Sequence, residues 1–87
     1  MNSFHLTVSS PDGNLFSGDA TFLSLRGVEG DLAIMAGHIP FVTAVADGDC
    51  TIELPDGTVR GAHLSDGLLT VADKGVTLLS GSFKLDE

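Results

Sequence analysis

The sequence predicts an all-β fold, a small β-sandwich of about eight to ten short, mostly antiparallel strands that takes in residues 1–87 as one domain. Three observations predict it. Gly and Pro punctuate the chain every few residues, and no stretch repeats apolar residues at the i, i+3, i+4, i+7 spacing of a helix. Between the breaks lie short runs rich in Val, Leu, Ile, Phe and Thr, the residues that fit a pleated, half-buried surface. The tripeptide Pro-Asp-Gly recurs at 11–13 and 55–57, where Pro presets φ, Asp caps the turn and Gly accepts a positive φ.

In chain order, Phe4, Leu6 and Val8 alternate with His5, Thr7 and Ser9, the period of a half-buried strand. Leu23 and Leu25 alternate with Phe22 and Ser24, which leaves Phe22 out of phase with the inward residues. Leu32 with Ile34, Val42 with Val45, and Ile52 with Leu54 mark further strands. The runs from Val59 to Leu64, Leu68 to Val71 and Val76 to Leu79 complete the series. Turns are expected at Asp47-Gly48, Asp66-Gly67 and Asp73-Lys74-Gly75 as well. Gly37 and Pro40 shape a corner inside the most apolar stretch, GDLAIMAGHIPFVTAV (30–45).

Charge and composition exclude several functions. Twelve acids against four bases give a net charge of −8, which opposes both phosphate-directed nucleic-acid binding and an anionic membrane. Such a surface suits a basic protein partner or plain solubility. The lone Cys50 rules out an internal disulfide and points to a reducing compartment. The N-terminus lacks a basic region ahead of a long apolar run, and no segment approaches the ~20 apolar residues of a spanning helix. A soluble, cytoplasmic protein is expected.

Catalytic and metal chemistry find little support. The three histidines, His5, His38 and His63, form no HxH or HxxxH pair, and the nearest two are 25 positions apart. No GxSxG elbow surrounds Ser65 or Ser80, no calcium loop is present, and no glycine-rich loop leads into a helix. The acid pairs Asp47 and Asp49, and Glu29 and Asp31, read as solvated turn charge. On residue chemistry alone, this is a binding or assembly module without cofactors.

One resemblance is more specific. The order FHLTVSS, LFSG (15–18), GVEGDLAIMAGHIPFVTAV (27–45) and HLSDGLLTVADKGVTLLS (63–80) resembles the epsilon subunit of F-type ATP synthases. The family pattern G-x-E-G-[ED]-L-x-I-x-x-G-H-x-P-x-[LV]-[TA] is matched by Gly27, Glu29, Gly30, Asp31, Leu32, Ile34, Gly37, His38, Pro40, Val42 and Thr43. Leu64, Ser65 and Gly67 match its L-S-G-G, with Asp66 in place of a Gly; a turn that tolerates Asp in the left-handed region is expected there. Ala36 stands where the family often has Pro, which would loosen the following corner.

The resemblance implies a ten-stranded sandwich, followed in relatives by a C-terminal helical hairpin linked to inhibition of ATP hydrolysis. It implies a non-catalytic rotor subunit, bacterial and peripheral to the inner membrane, that docks on the gamma subunit and the c-ring and couples ion translocation to ATP synthesis. The implied gamma contacts are Ser10, His38 and Thr43, with the apolar Met35, Ile39 and Phe41 beside His38 as candidates for the buried centre of that interface; the implied c-ring contacts are Glu29 and Asp31. Phe22 is a further outward candidate. The sequence stops at Lys84-Leu85-Asp86-Glu87, where the first helix would begin, so an isolated N-terminal domain or a naturally short subunit is expected, without the inhibitory role. The alternative is an unrelated small β-sandwich that binds a protein or a ligand.

Overall fold

The computed structural model describes residues 3–28, 30–37, 40–73 and 75–85, and among them every regular element is a strand. The strands are β1 (Phe4–Ser10), β2 (Gly13–Ala20), β3 (Phe22–Gly27), β4 (Gly30–Met35) and β5 (Phe41–Val45), followed by β6 (Gly48–Glu53), β7 (Val59–Leu64), β8 (Gly67–Ala72), β9 (Gly75–Ser80) and β10 (Phe83–Leu85). Pairing runs β10-β7-β6-β3-β5-β8-β9-β1-β2, with β4 on the other edge of β3. The result is two five-stranded layers, β4-β3-β6-β7-β10 and β5-β8-β9-β1-β2, joined at a seam where Gly27 meets Val45. Among the described residues, every strand pairing is antiparallel except that of β1 with β9, which is parallel.

Alternation decides what each layer buries. Leu23, Leu25, Ile34, Cys50, Ile52, Ala62, Leu64 and Phe83 come from the first layer. Leu6, Val8, Ala20, Val45, Leu69, Val71, Val76 and Leu78 come from the second, and together they form the core. Each fully buried Leu, Ile or Val contributes about 1.5–3 kcal/mol relative to exposure. The one buried polar side chain of the described residues, Ser80, is satisfied: its hydroxyl lies 2.9 Å from the Ser65 carbonyl and 2.6 Å from that of Ser82. That bond ties the β7–β8 turn to the β9–β10 turn.

Two strands escape the sequence reading. In β2 the alternation is broken by a bulge: Val8 pairs with Phe16 but Ser9 pairs with Asn14, so Leu15 is the extra residue and is left 41% exposed. In β10 there are only three residues, too few to show a period. Turn chemistry follows expectation at Gly13 (φ +125°), Gly37 (φ +89°) and Gly57 (φ +89°). Asp56 accepts from the Thr58 N–H at 2.8 Å, whereas in the first Pro-Asp-Gly turn Ser10 Oγ accepts from the Asp12 N–H at 3.1 Å. The expectation for Asp66 is corrected. No non-glycine residue among those described has positive φ; Asp66 instead donates its N–H to Asp47 Oδ1 at 2.6 Å, so a side chain from the neighbouring turn supplies what a left-handed residue would have.

Candidate functional site

The outward face of the second layer carries two cross-strand rows. Val42 on β5 sits beside Thr70, then Thr77, then Thr7. Ala44 sits beside Leu68, then Leu79, then Ser9. Val42 is 61% exposed, Leu79 47% and Leu68 41%. Neither row contains a charged side chain, although the chain carries twelve acids. Next to Leu68 and Leu79, a shallow hollow of about 460 Å³ reaches Ser10 and Pro11 at the corner of the layer. These two rows are therefore stiffened by β-branched residues and hold no charge to desolvate.

One end of the sandwich is the opposite. The turns β1–β2, β3–β4, β5–β6 and β7–β8 fall together there because β1 lies parallel to β9, and they and their flanks bring Asp12, Asp31, Asp47, Asp49 and Asp66 to that end. Asp31 follows Gly30, whose φ of +136° closes the tight reversal opposite Gly27. Gly27 leaves little room for a side chain, since a Cβ there would lie a tight 3.0 Å from the Gly30 carbonyl oxygen and 3.0 Å from Leu32. Arg26 Nε stands 3.7 Å from Asp31 Oδ1, with both side chains exposed. On the other side, His63 Nδ1 stands 3.2 Å from Asp49 Oδ1.

The residues singled out by the sequence distribute between these surfaces and elsewhere. Ser10 lies at the corner between the uncharged face and the acidic end. Phe41 and Thr43 share the inward phase of Val45 and are half-buried, Phe41 packing against the core. From β5 it is Val42 and Ala44 that face outward. Met35 is 51% exposed on β4, in the other layer and at the end away from Ser10. Phe22 is turned outward and half-buried between Met35 and Glu53. Glu29, His38 and Ile39 lie outside the described residues. The sequence reading passed over Leu68 and Leu79, each of which adjoins a buried Leu in a consecutive pair. In such a pair alternation still requires one outward residue, which was the available signal.

Chemistry finds no built centre. Ser17 Oγ lies 3.2 Å from His5 Nε2, and His5 Nδ1 lies 3.6 Å from Asp19 Oδ1, the order of a nucleophilic relay. The second distance is beyond hydrogen bonding, and the His5 and Asp19 side chains are 51% and 64% exposed, so water competes for each contact. Among the described residues, no three of His, Cys, Asp and Glu converge as metal ligands. Burial pushes the Cys50 thiol up to about 12, which keeps it protonated and inert. No helix among the described residues is long and apolar enough to cross a membrane.

Comparison with known proteins gives these surfaces a context. Residues 3–85 match the family described as ATP synthase, Delta/Epsilon chain, beta-sandwich domain. The chain is 38% identical over 80 residues to the ATP synthase epsilon chain of Delftia acidovorans and 40% identical over 80 residues to that of Polaromonas naphthalenivorans. Each match takes in 92% of this chain and 58% of the relative, so the chain spans little more than half the length of these curated relatives. Its fold superposes on a chain of the Euglena gracilis mitochondrial ATP synthase with a TM-score of 0.89, at 24% identity over 95% of this chain and 53% of that one. A chain from the central stalk and c-ring structure of the Tetrahymena thermophila mitochondrial ATP synthase gives 0.75 at 14% identity, over 94% of this chain and 66% of that one.

Proposed function

Because the chain belongs to the family of ATP synthase Delta/Epsilon chain β-sandwich domains, we propose that it acts as a non-catalytic rotor element of an F-type ATP synthase. In this reading it binds the gamma subunit with its uncharged face and rests its acidic end on the polar loops of the c-ring. It thereby couples ion translocation to ATP synthesis, peripheral to the membrane and attached only through the complex.

The observation that carries the reading is the separation of charge. A chain of net charge −8 keeps two rows across four strands free of charge while gathering five aspartates at the adjoining end. Burying a face of Val, Leu, Ala and Thr against a partner gains about 25 cal/mol per Å² of apolar area and leaves no ion stripped of water. The acidic end suits loops that present a basic residue, as the ring loops of this family commonly do.

To the gamma contact belong Val42, Ala44, Leu68, Thr70, Thr77 and Leu79, with Ser10 at the corner. Phe41 and Thr43 act from beneath by fixing β5. His38 is assigned to the same partner by the family resemblance, as Glu29 and Asp31 are to the ring, and Met35 and Ile39 are assigned to it as apolar residues beside His38 in the sequence. A packed core between two layers suits torque transmission, because a soft adaptor would lose rotation in its own deformation. Co-elution of the purified chain with its cognate gamma subunit tests the proposal. A stable complex is expected, and failure to form one where the longer relatives bind overturns it.

A further inference from the structure

Arg26 occupies an unusual place at the acidic end. Its backbone is fixed at the seam between the layers, where its carbonyl accepts the Ala46 N–H at 2.9 Å. Its side-chain stem lies over Gly48, where an added Cβ would meet it at an ordinary 3.7 Å. Arg26, Asp31 and Asp49 line one hollow of about 240 Å³ together with Ser24 and Leu25. A cation at this point stands beside acids on the two strands that flank β3, Asp31 on β4 and Asp49 on β6. The Asp31 contact, at 3.7 Å with side-chain exposures of 65% and 85%, is loose enough to exchange.

We infer that Arg26 is a built-in counter-ion that weakens the hold of the acidic end on cationic partners, so that docking of a basic loop exchanges one cation for another. The choice of the c-ring loop as that partner rests on the function proposed above; the counter-ion role itself does not. Such a device favours a contact that forms in the assembled rotor, where gamma already holds the chain in place, over capture of stray basic proteins. Without Arg26 the end would present one more net negative charge to any polycation.

The test measures binding of an oligolysine peptide and, in parallel, of the detergent-solubilised cognate c-ring, for the wild type, Arg26→Gln and Arg26→Lys, each first shown to melt like the wild type. At low ionic strength Arg26→Gln is expected to bind the peptide about two- to five-fold more tightly, and Arg26→Lys to match the wild type. The gain is expected to vanish near 1 M salt, where the screening length is about 3 Å, and to shrink in an Asp31→Asn background. Unchanged or weaker peptide binding by Arg26→Gln overturns the inference, as does an Arg26→Lys variant that behaves like Arg26→Gln. A wild type that binds oligolysine but not the ring overturns the docking assignment instead, while the peptide arm still decides the role of Arg26.

Discussion

Gly67 of β8 lies against the carbonyl of Leu79 on β9 so closely that a Cβ at position 67 would overlap that oxygen. The glycine is required by the approach of two strands, and the L-S-x-G spacing places it at that crossing. Gly67→Ala is therefore expected to cost about 1–3 kcal/mol or more, since the obstacle is backbone and cannot rotate away. Gly57→Ala meets open space and only the strain of φ +89°, roughly 1–2 kcal/mol. Urea denaturation of the two variants should rank them in that order, and equal midpoints would refute the steric account.

Val42 and Val59 provide a matched pair, 61% and 59% exposed on opposite layers. Val42→Asp places a carboxylate in the middle of the uncharged face, and burying it unpaired against gamma would weaken binding by about 100-fold or more. Val59→Asp should leave gamma binding unchanged. Both should fold with stabilities within about 0.5 kcal/mol of the wild type. Co-elution and titration calorimetry with gamma check this, and equal effects of the two substitutions would remove the second layer's face from the interface.

Asp31→Lys reverses charge at the end assigned to the ring. In a motor reconstituted with this chain, ATP-driven ion pumping is expected to fall about two- to five-fold, in keeping with the modest strength of an exposed pair. Unchanged pumping would reduce Asp31 to solvated turn charge.

Cys50 is closed off by the core, and its thiol is pushed up to about 12 by burial from an ordinary 9.0. The folded state thus holds a proton that the unfolded state releases, so stability is full below pH 9 and declines as pH rises from there toward 12. A thiol reagent at pH 8 should modify Cys50 only as fast as the domain opens. Labelling at the rate of a free thiol in native buffer would contradict its burial.

The hydrogen bond from the Thr58 N–H to Asp56 holds that carboxyl below its usual value of 3.8. A depressed folded value means the contribution is present above pH 3.8 and lost as pH falls through the lower folded value. Asp56→Ala should lower the melting temperature at pH 7 and remove that part of the acid dependence. A variant whose melting curve parallels the wild type from pH 7 to 2 would show that the turn does not depend on the carboxylate.

The strands that alternate cleanly, such as Leu23 with Leu25 or Leu6 with Val8, were legible because one face is buried and the other wet. What the sequence hid was relational. Val42 and Thr77 are 35 positions apart and share a row only through the β5-β8-β9 order. The five aspartates are scattered from 12 to 66 and become one end only when four turns are stacked. Asp66 misled because its local alternative, a left-handed turn, was visible in the sequence, whereas its actual partner, Asp47, is 19 positions away. Thr43 stood out by its motif and Phe41 by its place beside His38, but the phase set by Val45 turns both inward.

The parallel pairing of β1 with β9 joins Leu6 to Val76 and Val8 to Leu78. β1 therefore waits until β9 has been made before its inner edge is covered. Until then it can form only its local hairpin with β2, and loop closure over that distance slows folding. The domain is thus expected to mature only once β9 has been made. Chains interrupted before β9 would expose the edges of β1 and β8 to aggregation or proteolysis. A domain built this way is either complete or removed, which keeps half-finished copies from reaching a partner.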